Sequence, residues 1–244
     1  MERPAAGLGV RTVTDTPIYT RTGDDGTTGL LFGGRTSKAD PLIEVCGTID
    51  EAVAALGLAR AAGAAPELHG AILECQRGLF VAAADIAANP RARDRLTPGV
   101  SAVSAPMTAE LERSIDQQLA GHPLAPAFVV PGATLTSAAL DLARTVLRRA
   151  ERRLVAAGEA GAPVAAPVLA YLNRASDLLY VLARRAAGIA TSRSATSEVT
   201  SCGAGVVLGA TPRQGDPGPR ARGHAVRHTR PPPGAGRPQN GSSR

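Results

Sequence analysis

Apolar residues recur at helical spacing along most of the chain from residue 42 onward, and this periodicity predicts five α-helices. The predicted helices cover residues 42–62, 66–88, 108–119, from after Gly132 to about Ala157, and 167–187. A stretch rich in proline, arginine and glycine, Asn89–Ser104, separates the second helix from the third. Aromatic residues make up only 2% of the chain, which disfavours a β-sandwich. Because long helices joined by short or irregular connections form up-and-down bundles, we expect an all-α, five-helix up-and-down bundle.

The polar stretch Tyr19–Leu30, YTRTGDDGTTGL, interrupts this pattern just ahead of the first helix. Its glycines allow backbone amides to turn toward a ligand, and its threonine hydroxyls can donate to phosphate oxygens or help to hold a cation. An ordinary turn rich in Asp, Gly and Thr has the same composition, so both interpretations stay open. The chain contains no Walker motif and no G-x-G-x-x-G that follows a strand.

The net charge of +6 resides in one segment, Pro212–Arg244, which carries seven arginines and one acid. The rest of the chain is neutral, so a basic binding face on the folded part is not expected. We expect one domain over residues 17–190, with a flexible arm at 1–16 and a disordered tail at 191–244. The tail is either a solvated appendage or an arm that binds nucleic acid.

Other residue types exclude several kinds of site. The three cysteines form neither a disulfide framework nor a C-x-x-C motif, and the four histidines lack the spacing of metal ligands. No Ser/His/Asp or Cys/His set suggests itself, so we expect no metal site and a reactant that brings its own nucleophile. The first residues form no apolar signal segment, and prolines interrupt the longest uncharged stretch, which predicts a cytoplasmic protein without a membrane span.

Arg144, Arg148 and Arg152 follow one another at intervals of four in the fourth helix, so they lie along one stripe. Like charges at this spacing repel by roughly 0.2–0.5 kcal/mol per pair. Asp141 and Glu151, each three residues from an arginine, provide partial local compensation. The stripe is therefore either a solvated charged face or a site for phosphate or carboxylate, which arginine binds through a planar fork of donors.

Two further positions stand out. Lys38 is the single lysine in a chain of 26 arginines, which indicates either a need for a compact ammonium group or chance retention. Asn173 and Asp177 share a face of the fifth helix, where Asn173 can read a ribose or a base. A surface polar pair or a hydrogen bond within the bundle explains these two residues equally well.

Three segments, in this order and spacing, resemble the PduO-type ATP:cob(I)alamin adenosyltransferases. They are IYTRTGDDGTTGLLFGGRTSKAD followed by GTIDEAVAALG, then FVVPGATLTSAALDLARTVLRRAERR, and then YLNRASDLLYVLAR. The resemblance covers residues 17–187 and implies a nucleotide-binding segment at 17–40. It implies a homotrimer of five-helix bundles with an active site at each subunit interface, where the adenosyl group of ATP, usually with Mg²⁺, is transferred to the cobalt(I) centre of cob(I)alamin.

The resemblance also implies roles for residues of this chain. The nucleotide contacts are Thr20, Arg21, Thr22, Gly23, Thr28, Lys38, Arg148, Arg152 and Asn173. Arg148 and Glu151 are the most sensitive to change. Asp50 and Arg144 form a salt bridge between neighbouring subunits beside the site, and Phe128 occupies the lower axial face of cobalt. A corrinoid reductase and an adenosylcobalamin-dependent acceptor enzyme are expected partners.

The chain departs from the family pattern at Ala52, Val53 and Ala54, where Leu-Asn-Ser is common, and at Ala133, where a second glycine is usual. These changes remove a polar group and a flexible position near the interface. Two alternatives to the enzyme remain open. One is a catalytically inactive carrier that binds a corrinoid and ATP, and the other is a helical protein that binds nucleic acid through its tail.

Overall fold

Five α-helices and a short β-hairpin make up a computed structural model of the chain, which describes residues 19–188 except 121, 125 and 127. The helices are α1 (Pro41–Ala61), α2 (Pro66–Ile86), α3 (Ala105–Leu119), α4 (Leu135–Glu159) and α5 (Ala166–Ala186). The expected arm at residues 1–16 and the expected tail at 191–244 lie outside the described residues. None of the helices in the described part is long and apolar enough to cross a membrane.

Side chains at the helix starts explain where α1 and α4 begin. The Asp40 carboxylate accepts a hydrogen bond from the backbone N of Leu42 at 2.8 Å, and Pro41 occupies the first turn, where its missing N–H costs nothing. Thr134 and Ser137 form a reciprocal capping box at the start of α4. These caps set the start of the two helices that carry most of the predicted site residues found on helices.

The helices pack in the order α2, α1, α4, α5, α3, and α2 also contacts α5 and α3. Hydrogen bonds Arg60–His69 and Gln76–Val53 show that α1 and α2 are antiparallel, and Asp141–Arg184 with Glu151–Asn173 show the same for α4 and α5. Ion pairs Glu44–Arg153 and Glu51–Arg149 show that α1 and α4 are antiparallel. The predicted up-and-down bundle is confirmed.

Alanine allows α1 and α4 to approach each other closely. Ala52 and Ala59 of α1 and Ala143 and Ala150 of α4 are fully buried. Leucine and isoleucine fill the rest of the core, with Ile49, Leu56, Ile72, Leu79, Leu140, Leu147, Leu172, Leu179 and Leu182 fully buried. The alanine that replaces the family's usual leucine at position 52 therefore lies in the core, and Ala54 is exposed.

A two-stranded antiparallel hairpin, which the sequence pattern did not predict, accompanies the expected all-α bundle. Strands β1 (Thr27–Gly29) and β2 (Arg35–Ser37) pair with Thr28 opposite Thr36. The hairpin is tied to the end of α2 because Leu31 N donates to Ala87 O at 2.9 Å and Asn89 N donates to Leu31 O at 3.0 Å. The polar segment is thereby fixed at the end of the bundle where α1 begins.

One helix boundary and one short element also differ from the prediction. Helix α3 begins at Ala105 rather than Thr108, because Pro106 lies in the first turn, where proline is tolerated. The segment between α2 and α3 contains a 3₁₀ helix, Pro90–Arg95, which the sequence pattern did not predict.

Candidate functional site

The N-terminal loop is held in shape by Arg35, which the sequence reasoning missed. Its guanidinium donates to the carbonyl of Thr22 and, from Nε, to Thr27 Oγ1 at 2.8 Å. The predicted contacts Thr20 and Thr22 lie beside each other, with 2.8 Å between their hydroxyl oxygens, and are exposed. The loop therefore presents its hydroxyls to solvent on a fixed backbone.

Lys38 and Gly23 meet across this loop. A Cβ atom on Gly23 would lie 3.2 Å from Lys38 Nζ, so glycine at this position makes room for the ammonium group. The backbone N of Lys38 also donates to Gly26 O at 2.9 Å, where Gly26 has a positive φ of 80°. The single lysine of the chain is thus placed over the glycine-rich turn.

The remaining predicted loop residues flank this turn. Arg21 has a positive φ of 59°, and its guanidinium carbon lies 5.6 Å from the centre of the Tyr19 ring. Thr28 lies half-buried within β1. Hydrogen bonds from the Thr27 side chain and backbone, with Arg35 nearby, lower the pKa of Asp25. Asp25 is therefore charged and already committed to the loop.

The arginines of α4 divide into two groups. Arg149 and Arg153 form ion pairs with Glu51 and Glu44 of α1. Arg144, Arg148 and Arg152, the predicted stripe, form no ion pair with any of the described residues. Within the described part of the chain, the Arg152 side chain donates only to the carbonyl of Arg148, at 3.0 Å. The stripe therefore presents unneutralised positive charge.

The expected local compensation of this stripe is wrong. Asp141 pairs with Arg184 of α5 rather than with Arg144. Glu151 accepts a hydrogen bond from Asn173 Nδ2 at 2.9 Å rather than pairing with Arg148. Both acids therefore have their partners on α5, the antiparallel neighbour of α4. Asn173 and Glu151 are thereby brought together at one edge of the arginine stripe.

Asp50 and Phe128 are the two predicted site residues that belong neither to the loop nor to α4 and α5. Asp50 is exposed on α1, and no ion pair joins it to Arg144 among the described residues. The Phe128 residue, between α3 and α4, is 72% exposed. Exposure of an acidic and an aromatic side chain leaves both available to another molecule.

No hydrogen bond or ion pair joins the loop group to the α4/α5 group among the described residues. The loop group comprises Thr20, Arg21, Thr22, Gly23, Thr28 and Lys38, and the other group comprises the predicted residues of α4 and α5. Two large cavities, of about 610 and 630 Å³, are lined by none of the predicted site residues. Within the described residues the predicted site therefore consists of two groups, or half-sites, that are not bonded to each other.

Metal ligands are not clustered in the described part of the chain, where no group of three His, Cys, Asp or Glu side chains is placed to hold a metal ion. Besides Arg35, the sequence reasoning missed Tyr180 of α5. The guanidinium carbons of Arg144 and Arg184 lie 5.3 and 5.4 Å from the centre of its ring. The periodicity of α5 gave no signal for this contact, because it depends on how α4 and α5 pack.

A family model described as cobalamin adenosyltransferase matches residues 18–186. The corrinoid adenosyltransferase PduO of Salmonella typhimurium is 43% identical over 169 residues, which cover 68% of this chain and 48% of that protein. A corrinoid adenosyltransferase of Citrobacter freundii is 38% identical over 167 residues, which cover 68% of this chain and 93% of that protein. The chain thus spans about half the length of the Salmonella relative and most of the Citrobacter one.

Solved structures give the same similarity. A phenylalanine-to-histidine variant of the PduO-type ATP:corrinoid adenosyltransferase of Lactobacillus reuteri, complexed with cobalamin and ATP, is 30% identical with a TM-score of 0.62 and covers 71% of this chain and 92% of that one. An arginine-to-lysine variant from the same organism, complexed with ATP, is 29% identical with a TM-score of 0.61 and covers 70% of this chain and 95% of that one.

Proposed function

Because this chain belongs to the cobalamin adenosyltransferase family, we propose that it transfers the 5′-deoxyadenosyl group of ATP to the cobalt(I) centre of a reduced corrinoid. The observation that carries the proposal is the contrast along α4. Arg149 and Arg153 are neutralised by α1 carboxylates, whereas the arginine stripe is left to an anion such as a triphosphate. The PduO-type relative of known structure is complexed with cobalamin and ATP.

The reaction needs positioning more than acid–base chemistry. A cobalt–carbon bond forms at C5′ of ATP, the C5′–O bond breaks, and the electron pair of that bond leaves with triphosphate. The reduced corrinoid is itself the nucleophile, so no general base is required. The protein's contribution is to align the two substrates and stabilise the charge of the leaving group, which suits Arg148, Arg152 and Lys38.

Mg²⁺ fits this scheme as an ion held chiefly by the triphosphate. The loop offers hard oxygen ligands, since the hydroxyls of Thr20 and Thr22 lie 2.8 Å apart and Asp24 is exposed. The bound ion would neutralise phosphate charge. Asn173, held by Glu151, would contact the nucleoside, and Phe128 would cover the lower face of the corrinoid in place of its base.

The active site is completed between two copies of the chain, in a homotrimer. Three features support this: no hydrogen bond or ion pair joins the two half-sites among the described residues, Asp50 is exposed without an ion-pair partner there, and Arg144 forms no ion pair there. Asp50 of one subunit would pair with Arg144 of the next. A partly buried pair of this kind tolerates the loss of one member badly.

We propose that the protein acts in the cytoplasm, in cobalamin biosynthesis or salvage. Its substrate must come from a one-electron reduction of cobalt, so a corrinoid reductase is the partner upstream. Its product is a cofactor, so an adenosylcobalamin-dependent enzyme is the partner downstream.

The first test is an anaerobic assay of the full chain with MgATP and chemically reduced cob(I)alamin. The visible spectrum should show conversion to light-sensitive adenosylcobalamin. Arg148→Ala should lower the rate by about 10²–10³-fold, as loss of a charge-stabilising donor does, with an unchanged melting temperature. Arg77→Ala, in an exposed ion pair of α2 with Glu74, is the matched control and should behave as wild type.

Other outcomes would favour the alternatives. A folded wild-type protein that binds ATP but forms no product would be the inactive carrier. A protein that forms no product and loses nucleic-acid binding when residues 212–244 are deleted would be the nucleic-acid-binding protein.

Complementation tests whether the site is shared. Lys38→Ala and Arg148→Ala each impair one half-site, so each variant alone should be nearly inactive. Refolded together, they should form mixed trimers in which roughly a quarter of the sites combine two intact halves. Activity that does not return in the mixture would place both halves in one subunit.

A further inference from the structure

A buried ion pair connects α4 and α5 behind the predicted site. Asp141 of α4 and Arg184 of α5 are 8% and 7% exposed, and the guanidinium of Arg184 donates to Asp141 Oδ2. Desolvation largely offsets the attraction in such a pair, so it adds little net stability, although the loss of one partner is costly. The pair therefore calls for a role other than holding the bundle together.

Tyr180 connects this pair to Arg144. Tyr180 precedes Arg184 by one helical turn, and Asp141 precedes Arg144 by nearly one turn, so the four residues form a rectangle across the two helices. The guanidinium carbons of Arg144 and Arg184 lie 5.3 and 5.4 Å from the centre of the Tyr180 ring. Both distances are within the range of cation–π attraction.

Arg184 forms few hydrogen bonds among the described residues, so its contact with the Tyr180 ring also helps to fix its side chain. Arg184 Nε is buried without a hydrogen-bond partner among the described residues. Its one side-chain partner there is Asp141, whose charge also offsets the repulsion between two guanidinium groups at one ring.

From this arrangement we infer that Tyr180 is a positioning residue, which the Asp141–Arg184 pair holds in place and which orients the Arg144 guanidinium toward a neighbouring subunit. Arg144 has no ion-pair partner of its own among the described residues, so without the ring its long side chain would sample many rotamers. A preoriented guanidinium loses less freedom when it meets a carboxylate. The inference rests on the proposed pairing of Arg144 with Asp50 of a second copy.

The experiment compares Tyr180→Leu, Tyr180→Phe, Arg144→Ala and the double variant Arg144→Ala/Tyr180→Leu in the full chain. Leucine removes the aromatic face and keeps apolar bulk, whereas phenylalanine keeps the face. Tyr180→Leu should lower kcat/KM about tenfold, the size expected for the loss of a desolvated cation–π contact. Tyr180→Phe, which keeps the ring, should retain most of the wild-type kcat/KM. The double variant should be no slower than Arg144→Ala, because Tyr180 acts through Arg144.

An NMR measurement that does not depend on activity distinguishes the positioning role of Tyr180 from the assignment of Arg144 to the active site. NMR relaxation of arginine Nε–Hε groups, with the Arg144 signal identified by its absence in Arg144→Ala, should report an ordered side chain in wild type and a mobile one in Tyr180→Leu. An Arg144 signal that stays ordered in Tyr180→Leu, or single-variant losses that multiply in the double variant, would overturn the positioning role. If Tyr180 orders Arg144 but Arg144→Ala turns over at the wild-type rate, the assignment of Arg144 to the active site would be overturned instead. Melting temperatures check that every variant is folded.

Discussion

Asn173 of α5 donates a hydrogen bond from Nδ2 to Glu151 Oε1 of α4, at 2.9 Å, next to a stripe of arginines that have no acidic partner on the described residues. The bond uses one of the two N–H donors of the Asn173 amide. The second N–H and the amide oxygen are left to interact with a ligand, and the oxygen suits a donor on a ribose or a base.

Replacing Asn173 should therefore affect ATP more than the corrinoid. Asn173→Ala should raise the KM for ATP about tenfold, as the loss of a hydrogen bond or two predicts. Asn173→Asp should raise it further, because a second carboxylate beside Glu151 repels both Glu151 and the triphosphate. Steady-state kinetics with each substrate varied in turn measures both effects. Glu110→Gln, in an exposed ion pair of α3 with Arg113, is the control. Equal KM values for the alanine and aspartate variants would contradict the geometry.

Arg35 should act on ATP binding through the shape of the loop. Arg35→Ala removes the donors to the Thr22 carbonyl and to Thr27 Oγ1, so the loop should lose order and the KM for ATP should rise several-fold. Hydrogen exchange of the amides at residues 22–28 should speed up in the same variant. Arg91→Ala, at an exposed arginine near the hairpin, should change neither quantity. An unchanged exchange rate with a raised KM would mean that Arg35 binds ATP directly.

The helices could be predicted from the sequence because their signals are local. Apolar residues at helical spacing and the capping residues Thr134 and Ser137 lie within a few positions of one another. The hairpin could not be predicted, because its strands are three residues long and lack alternating apolar residues. Contacts with Arg35 and with the end of α2 hold it, and these depend on the tertiary fold.

The candidate site shows the same division. The family resemblance predicted the stripe, Lys38 and Asn173 as site residues, and among the described residues no hydrogen bond or ion pair joins Lys38 to the predicted residues of α4 and α5. The partners of the nearby acids could not be predicted, because Asp141 lies three residues from Arg144 yet pairs with Arg184, 43 positions away. Spacing along one helix fixes which residues are neighbours on its surface, but the adjacent helix decides which of them pair.

Phe128 should distinguish between corrinoids. Since the residue is 72% exposed, Phe128→Ala removes little buried area and should leave the melting temperature unchanged. Turnover of cobalamin should fall much more than turnover of cobinamide, which lacks the lower base that Phe128 displaces in our proposal. The assay compares the two corrinoids at saturating ATP, with Val130→Ala, a 65% exposed apolar residue nearby, as the control. Equal losses with both corrinoids would remove the lower-face role.

Three weakly acidic side chains with raised pKa values should make the fold sensitive to alkali. Burial raises the pKa of the Cys46 and Cys75 thiols to about 12 from 9.0, and it raises the pKa of Tyr171 above its usual value of 10.0. Below pH 9 all three groups are protonated in the folded and the unfolded chain, so they do not affect the pH dependence. Above pH 9 the unfolded chain releases these protons while the folded chain retains them, so the free energy of unfolding should fall as pH rises toward 12.

The expected slope is roughly 1 kcal/mol per pH unit for each group that is ionised only in the unfolded chain. Urea unfolding at a series of pH values from 8 to about 11 measures it. Cys75→Ala should lower stability at every pH through the cavity it leaves, yet give a shallower slope above pH 9 because one titrating group is gone. Tyr19→Phe, at a 71% exposed tyrosine, should leave the slope as in wild type. A slope for Cys75→Ala as steep as that of wild type would show that the thiol does not contribute.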